Sequence, residues 1–188
     1  MKGGFIVDAC VFSDQLLPNE VRTLVNSDKK KILTAEGTKF HKELVNANRE
    51  FFRRSAQKGR VEYIQAGHVS KKVLQLQELK SRRCKRSSKA SPKEALIKSK
   101  DFDVIAIGIT ARASCLITSD DALSEDFPIL KEIERNLACK YSNPDWKRIN
   151  PVALKPSSTP LASIQRHLKA AIYKSNCCEC AFLKSKGC

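Results

Sequence analysis

The sequence predicts an α/β fold, with helices flanking a mostly parallel central sheet. Short apolar runs rich in β-formers, Gly4–Val7 and Ser114–Thr118, alternate with longer segments of helical period. Both runs lead directly to acidic residues, Asp8 after the first and Asp120 after the second. The chain has 188 residues and 41% hydrophobic content, which suits one packed core with a short tail.

Gly4–Val7 reads as a buried strand that delivers Asp8 at its C-terminal end. Pro18-Asn19-Glu20 opens a helix whose apolar positions Val21, Leu24 and Val25 recur at helical spacing. Lys31–Thr34 is a second strand, with Glu36-Gly37 as the turn behind it. From Thr38 to Lys58, Phe40, Leu44, Val45, Phe51 and Phe52 fit one long amphipathic helix that Gly59 stops. Val61–Ile64 is another extended piece, and Leu74, Leu76 and Leu79 mark a further helix. Ser81–Lys93 is basic, serine-rich and nearly free of large apolar residues, so it reads as a mobile loop.

Asp103–Ala113 is a helix with a carboxylate at its positive end. Ser114–Thr118 is a buried strand ending in Ser119-Asp120-Asp121, and the stretch from Asp126 to Leu137 is again helical. Tyr141–Trp146 is a loop or short strand, and a helix near Ser163–Tyr173 precedes a cysteine-rich tail. The expected division is a domain over 1–150 and a helix and tail over 151–188. No internal repeat is visible.

The net charge is +15, and its distribution says more than its size. Residues 29–100 hold 21 Lys and Arg against 6 Asp and Glu, while the remaining 14 basic and 14 acidic residues cancel. A contiguous basic segment suits a polyanion, because each neutralised phosphate releases condensed counterions. An acidic protein or membrane surface would satisfy charge alone equally well. No apolar run approaches the roughly 18 residues of a membrane span, and the first one is too short for a secretory leader. A cytoplasmic protein without a membrane partner is expected. The core cysteines Cys10 and Cys115, both read as part of strand-like runs, are then reduced packing residues.

Asp8, Asp103 and Asp120 share one pattern, a carboxylate at the edge of an apolar element. Taken singly, each reads equally well as a turn or cap residue. Their joint placement points further, since ligands of parallel sheets bind beyond the carboxyl ends of the strands. Clustered carboxylates need a cation, and hard divalent ions take carboxylate, water and phosphate oxygens together. Such a site activates water for phosphodiester hydrolysis.

FIVDACVF resembles the opening strand of PIN-domain nucleases, in which hydrophobic residues lead to Asp and then a small residue. DVIAIGITARASCLITSDDAL is similar to that family's later signature: Asp, a helix with small residues, an apolar strand, then Thr/Ser-x-Asp. KKKILTAEGTKFHKEL resembles its strand, turn and acid-bearing helix, so the likeness spans roughly residues 4–150. The resemblance implies a three-layer fold and a metal-dependent endoribonuclease using Mg²⁺ or Mn²⁺. It assigns metal and catalytic roles to Asp8, Glu43, Asp103 and Asp120. Glu36 is the fallback for Glu43, Asp121 a neighbour able to exchange with Asp120, and Asp126 an additional acid at the rim.

Arg82, Arg83, Lys85 and Arg86 are the candidate contacts to the RNA backbone. Some family members are toxins silenced by an inhibitory protein partner, and self-association is also left open. One departure is Cys10, where the family places a hydroxyl or other polar residue that orients the first Asp. A thiol is a weak hydrogen-bonding group and softens that support. The rivals are an RNA-binding module without catalysis, a DNA-directed nuclease, and a hydrolase of small phosphates. Cys177, Cys178, Cys180 and Cys188 lack the separated ligand pairs of a structural zinc site and read as a reduced tail. His41 and His68 are given no catalytic role, and Tyr141 and Trp146 read as packing residues.

Overall fold

The structure, a computed structural model, describes residues 4–13, 31–81, 96–137, 150–156 and 162–163. β1 (Phe5–Val7) leads into the short helix α1 (Ala9–Ser13), and β2 (Ile32–Thr34) into α2 (Lys39–Ala47) and α3 (Arg49–Gln57). β3 (Val61–Tyr63) precedes α4 (Ala66–Ser81) and α5 (Phe102–Ala111). β4 (Cys115–Ile117) is followed by α6 (Asp121–Asp126), a 3-10 turn at Phe127–Ile129 and α7 (Leu130–Leu137). β5 (Val152–Leu154) completes a five-stranded sheet of order β3-β2-β1-β4-β5, parallel at every pairing. Helices flank it, so the chain adopts the three-layer α/β architecture its sequence predicts. Among the described residues, no helix is long and apolar enough to cross a membrane.

β1, β2 and β4 are buried at every position, as parallel strands covered by helices must be. They read as unbroken apolar runs for that reason, not as alternating ones. α5 is apolar on almost every side and is buried along most of its length, from Val104 to Ile109. Gly108 lets it approach the next layer, because a Cβ there would come within 2.9 Å of Leu130 and 3.1 Å of Phe127. Gly4 is tighter still: a Cβ would stand 2.6 Å from Leu33 and 2.7 Å from the Lys31 carbonyl oxygen. A backbone atom cannot rotate out of the way, so Gly4→Ala must push β1 from β2. The expected loss is about 1–3 kcal/mol, read by urea denaturation; unchanged stability would contradict the packing.

The structure departs from the sequence reading in three places. The single helix expected over Thr38–Lys58 is two, broken at Asn48 with φ −153° and ψ 76°. The Asn48 side-chain oxygen accepts from Phe51 N–H at 3.1 Å, so a short polar side chain ends one helix by capping the next. α6 fills Asp121–Asp126, a stretch to which the sequence reading assigned no element. β5 falls beyond the boundary expected at 150 yet pairs with β4 as part of the same sheet. The turns at Gly37 (φ 81°) and Gly59 (φ 64°) stand where the sequence placed them, in a backbone region that glycine adopts without strain. The helix expected after Pro18, most of the Ser81–Lys93 loop, Tyr141–Trp146 and the cysteine-rich tail lie outside the described residues. So does all but the start of the helix expected near Ser163–Tyr173.

Candidate active site

From β1 the chain runs outward to β2 and β3, then crosses back so that β4 lies on the other side of β1. A crevice opens at such a reversal, outside the carboxyl ends of the two strands. In this register Val7 lies beside Ile117, and Asp8 N–H donates to the Ile117 carbonyl at 2.9 Å. Asp8 and Thr118 therefore leave the sheet side by side.

Thr118 is fully buried, and its hydroxyl donates to Asp8 Oδ2 at 2.6 Å. The same hydroxyl oxygen accepts from Asp120 N–H at 3.0 Å. One side chain thus couples the first carboxylate to the backbone of the last. Cys10 lies on α1, not in a strand-like run, and its thiol donates to the same Asp8 oxygen at 3.0 Å. The orientation of Asp8 is accordingly secured by Thr118, and the thiol is a second, weaker donor. Burial, then the hydrogen bond to Asp8 and its negative charge, push the Cys10 thiol up to about 11. At pH 8 its alkylation should run about a hundredfold slower than that of an ordinary thiol, because the thiolate is the nucleophile. Peptide-resolved mass spectrometry after iodoacetamide treatment checks this; labelling at the rate of a free thiol would contradict the contact.

Asp120 is the N-cap of α6, with Oδ1 accepting from Leu123 N–H at 2.6 Å. Asp121 faces elsewhere: its carboxylate pairs with Lys155, just past β5, and is largely exposed. The crevice is lined not by the expected Asp103 but by Asp101, two residues earlier. Asp101 is the N-cap of α5 but makes no side-chain cap, and it lines the crevice. Asp103 does not line it; its Oδ2 accepts from Phe40 N–H at 3.3 Å, at the positive end of α2. Asp103 thereby docks α2, and α2 carries the remaining acid.

That acid is Glu43, which lines the crevice with Asp8, Asp101, Asp120 and Asn46 in a cleft of about 580 Å³. Glu36 lies outside the lining, its charge felt by Tyr63. Asp126 is not a rim residue: it is buried and holds backbone of the segment before α5. Lys39 also lines the cleft, with its ammonium 3.3 Å from Glu43 and 3.8 Å from Asp101. The Asp101 carboxyl is raised above its ordinary range, first by burial, with the charges of Asp8, Asp120 and Glu43 adding to the effect and Lys39 opposing it. His41 accepts or donates a hydrogen bond with Thr34 at 3.1 Å and packs edge-on against Phe52 and Tyr63, a packing role. Arg82, Arg83, Lys85 and Arg86 lie outside the described residues.

No family model, curated protein or solved structure matches this chain. Function must therefore be read from the cleft itself.

A hard cation that keeps part of its water shell would find carboxylate donors in this cleft. Among the described residues, no three His, Cys, Asp or Glu side chains group tightly enough to hold an ion by themselves. Mg²⁺ commonly binds through one or two carboxylates, with waters and substrate phosphate completing its shell. The donors here are carboxylate oxygens, and one ammonium is already drawn between two of them. Lys39→Gln should therefore tighten Mn²⁺ binding several-fold, since a like charge leaves the ion's surroundings. Titration calorimetry beside Lys42→Gln, an exposed lysine of the same helix outside the lining, separates this local effect from net charge.

Sequence reasoning missed Asp101 and Lys39 and undervalued Thr118. Thr118 had a signal, the hydroxyl of the Thr/Ser-x-Asp motif. Asp101 had none beyond its position two residues before Asp103.

Proposed function

We propose that this chain is a metal-dependent endoribonuclease of the PIN type, acting in the cytoplasm. The single observation carrying that reading is the meeting of Asp8, Glu43, Asp101 and Asp120 in one cleft where β1 and β4 part. Bound Mg²⁺ or Mn²⁺ would supply Lewis acidity and an activated water for phosphodiester hydrolysis. Asp8 has two donors on Oδ2, which leaves Oδ1 available to the cleft. Asp120 has Oδ1 committed to the α6 cap, which leaves Oδ2 for the cleft. Glu43 and Asp101 face one another across Lys39, and together they complete the acidic wall.

Substrate approach is served by the helices next to that wall. Lys42, Arg49, Arg53 and Lys58 are exposed on or just after α2 and α3, and α2 also carries Glu43. A polyanion drawn to this basic surface arrives beside the carboxylates, where a metal bridging acid and phosphate relieves the repulsion between them.

The test is cleavage of labelled RNA and DNA pools in Mn²⁺ or Mg²⁺, comparing wild type, Asp8→Asn and an EDTA control. Metal-dependent cutting of RNA that Asp8→Asn loses is the expected result. Cutting of DNA alone would transfer the reading to a DNA-directed nuclease. Tight RNA binding without cutting in either metal would leave a binding module.

A further inference from the structure

We propose that Asp126 and Lys80 are positioning residues that clamp the Lys98–Ser99 backbone and so hold Asp101 against the other cleft carboxylates. The inference rests on the nuclease reading of the cleft. Asp126 ends α6 and is 1% exposed. Its two oxygens accept from Lys98 N–H at 3.0 and 3.1 Å, and Oδ2 also accepts from Ser99 N–H at 2.7 Å. From the other side, the Lys80 ammonium of α4 donates to the carbonyls of Lys98 at 2.8 Å and Ser99 at 2.6 Å. The N–H groups and the carbonyls of one dipeptide are thus held by opposite charges.

The clamp is relayed forward. Ser99 is buried, and its hydroxyl oxygen accepts from Asp101 N–H at 2.9 Å. The Lys80 ammonium also stands 5.5 Å from the centre of the Phe102 ring, the first residue of α5. Asp101 is consequently tethered on both sides, although its own side chain caps nothing. Burying the Asp126 carboxylate costs desolvation that an apolar residue would avoid, so packing alone gives a poor reason for it. Neither residue lines the cleft, and the hydrogen bonds of the clamp reach it through Asp101.

The experiment is Mn²⁺ binding by the full chain, followed by the electron paramagnetic resonance of the free ion, with thermal unfolding alongside. Asp126→Asn should weaken binding about tenfold, in the range of outer-shell substitutions at metal sites. In an Asp101→Asn background the same substitution should weaken it no further, because its route to the ion is already gone. A folded Asp126→Asn protein with wild-type affinity overturns the proposal, as does a full additional loss in the Asp101→Asn background. Should Asp126→Asn fail to fold, Lys80→Met runs the same cycle, since it keeps the buried carboxylate and its N–H donors. Absence of Mn²⁺ binding by the wild-type chain defeats the nuclease reading and the clamp together, whereas binding indifferent to both substitutions defeats only the clamp.

Discussion

Asp101→Asn should lower metal-dependent RNA cleavage by about a hundredfold or more, while Asp103→Asn should keep most of the activity and lose stability instead. Even residues that only orient metal ligands cost about 10–100-fold when replaced, so a carboxylate facing the ion should reach the upper end or exceed it. Asp101 has no cap to maintain and lines the cleft, so removing its charge leaves the fold with little to lose. Asp103 is committed to the Phe40 N–H at the start of α2. Losing that charge-assisted bond at a helix N-terminus costs about 0.5–2 kcal/mol. Values of kcat/KM in Mn²⁺ and urea midpoints for both variants decide the matter. A dead Asp103→Asn enzyme with an active Asp101→Asn counterpart would reverse the assignment.

Thr118→Val should cost about 1–3 kcal/mol of stability and, separately, about ten- to a hundredfold in cleavage. Valine fills nearly the same volume, so the buried site loses polarity more than packing. Two contacts vanish together: the donor to Asp8 Oδ2 and the acceptor for Asp120 N–H. Cys10 remains at 3.0 Å from that Asp8 oxygen, but a thiol is a weak substitute for a hydroxyl. Thr118→Ser, which restores the hydroxyl, should recover most of the activity. If valine leaves cleavage intact while lowering the unfolding midpoint, Thr118 supports the fold and not the carboxylates.

Much of the architecture was legible in the chain because it depends on near neighbours. β1, β2 and β4 are short, apolar throughout and bounded by polar residues, which is what a strand buried on both faces requires. The apolar helix before β4 could only be an interior one. Asn48 was harder to read. Phe40, Leu44, Phe51 and Phe52 fit one helical period so well that the cap between them was hidden. β5 was not legible at all: three residues after a proline carry too little pattern, and only pairing with β4 makes them a strand.

By itself, the sequence determined that acids would stand at the ends of apolar strands, and in what order along the chain. Asp8 and Asp120 were identified on that basis and Glu43 from the family resemblance, and all three line the cleft. Only the tertiary structure brings Asp101 into that cleft and turns Asp103 to the start of α2. Asp101 is the N-cap, with non-helical backbone at φ −85° and ψ 63°, whereas Asp103 lies in the first turn of the helix. Which of them meets Asp8 therefore depends on the rotation at which α5 docks against α2, a relation between elements far apart in sequence. Asp126 makes the same point from the other direction. It was expected as an additional acid at the rim, yet docking against Lys98–Ser99 buried it and gave it backbone to hold. Local pattern can say that a residue is acidic and near an edge; which edge it faces is settled by long-range packing.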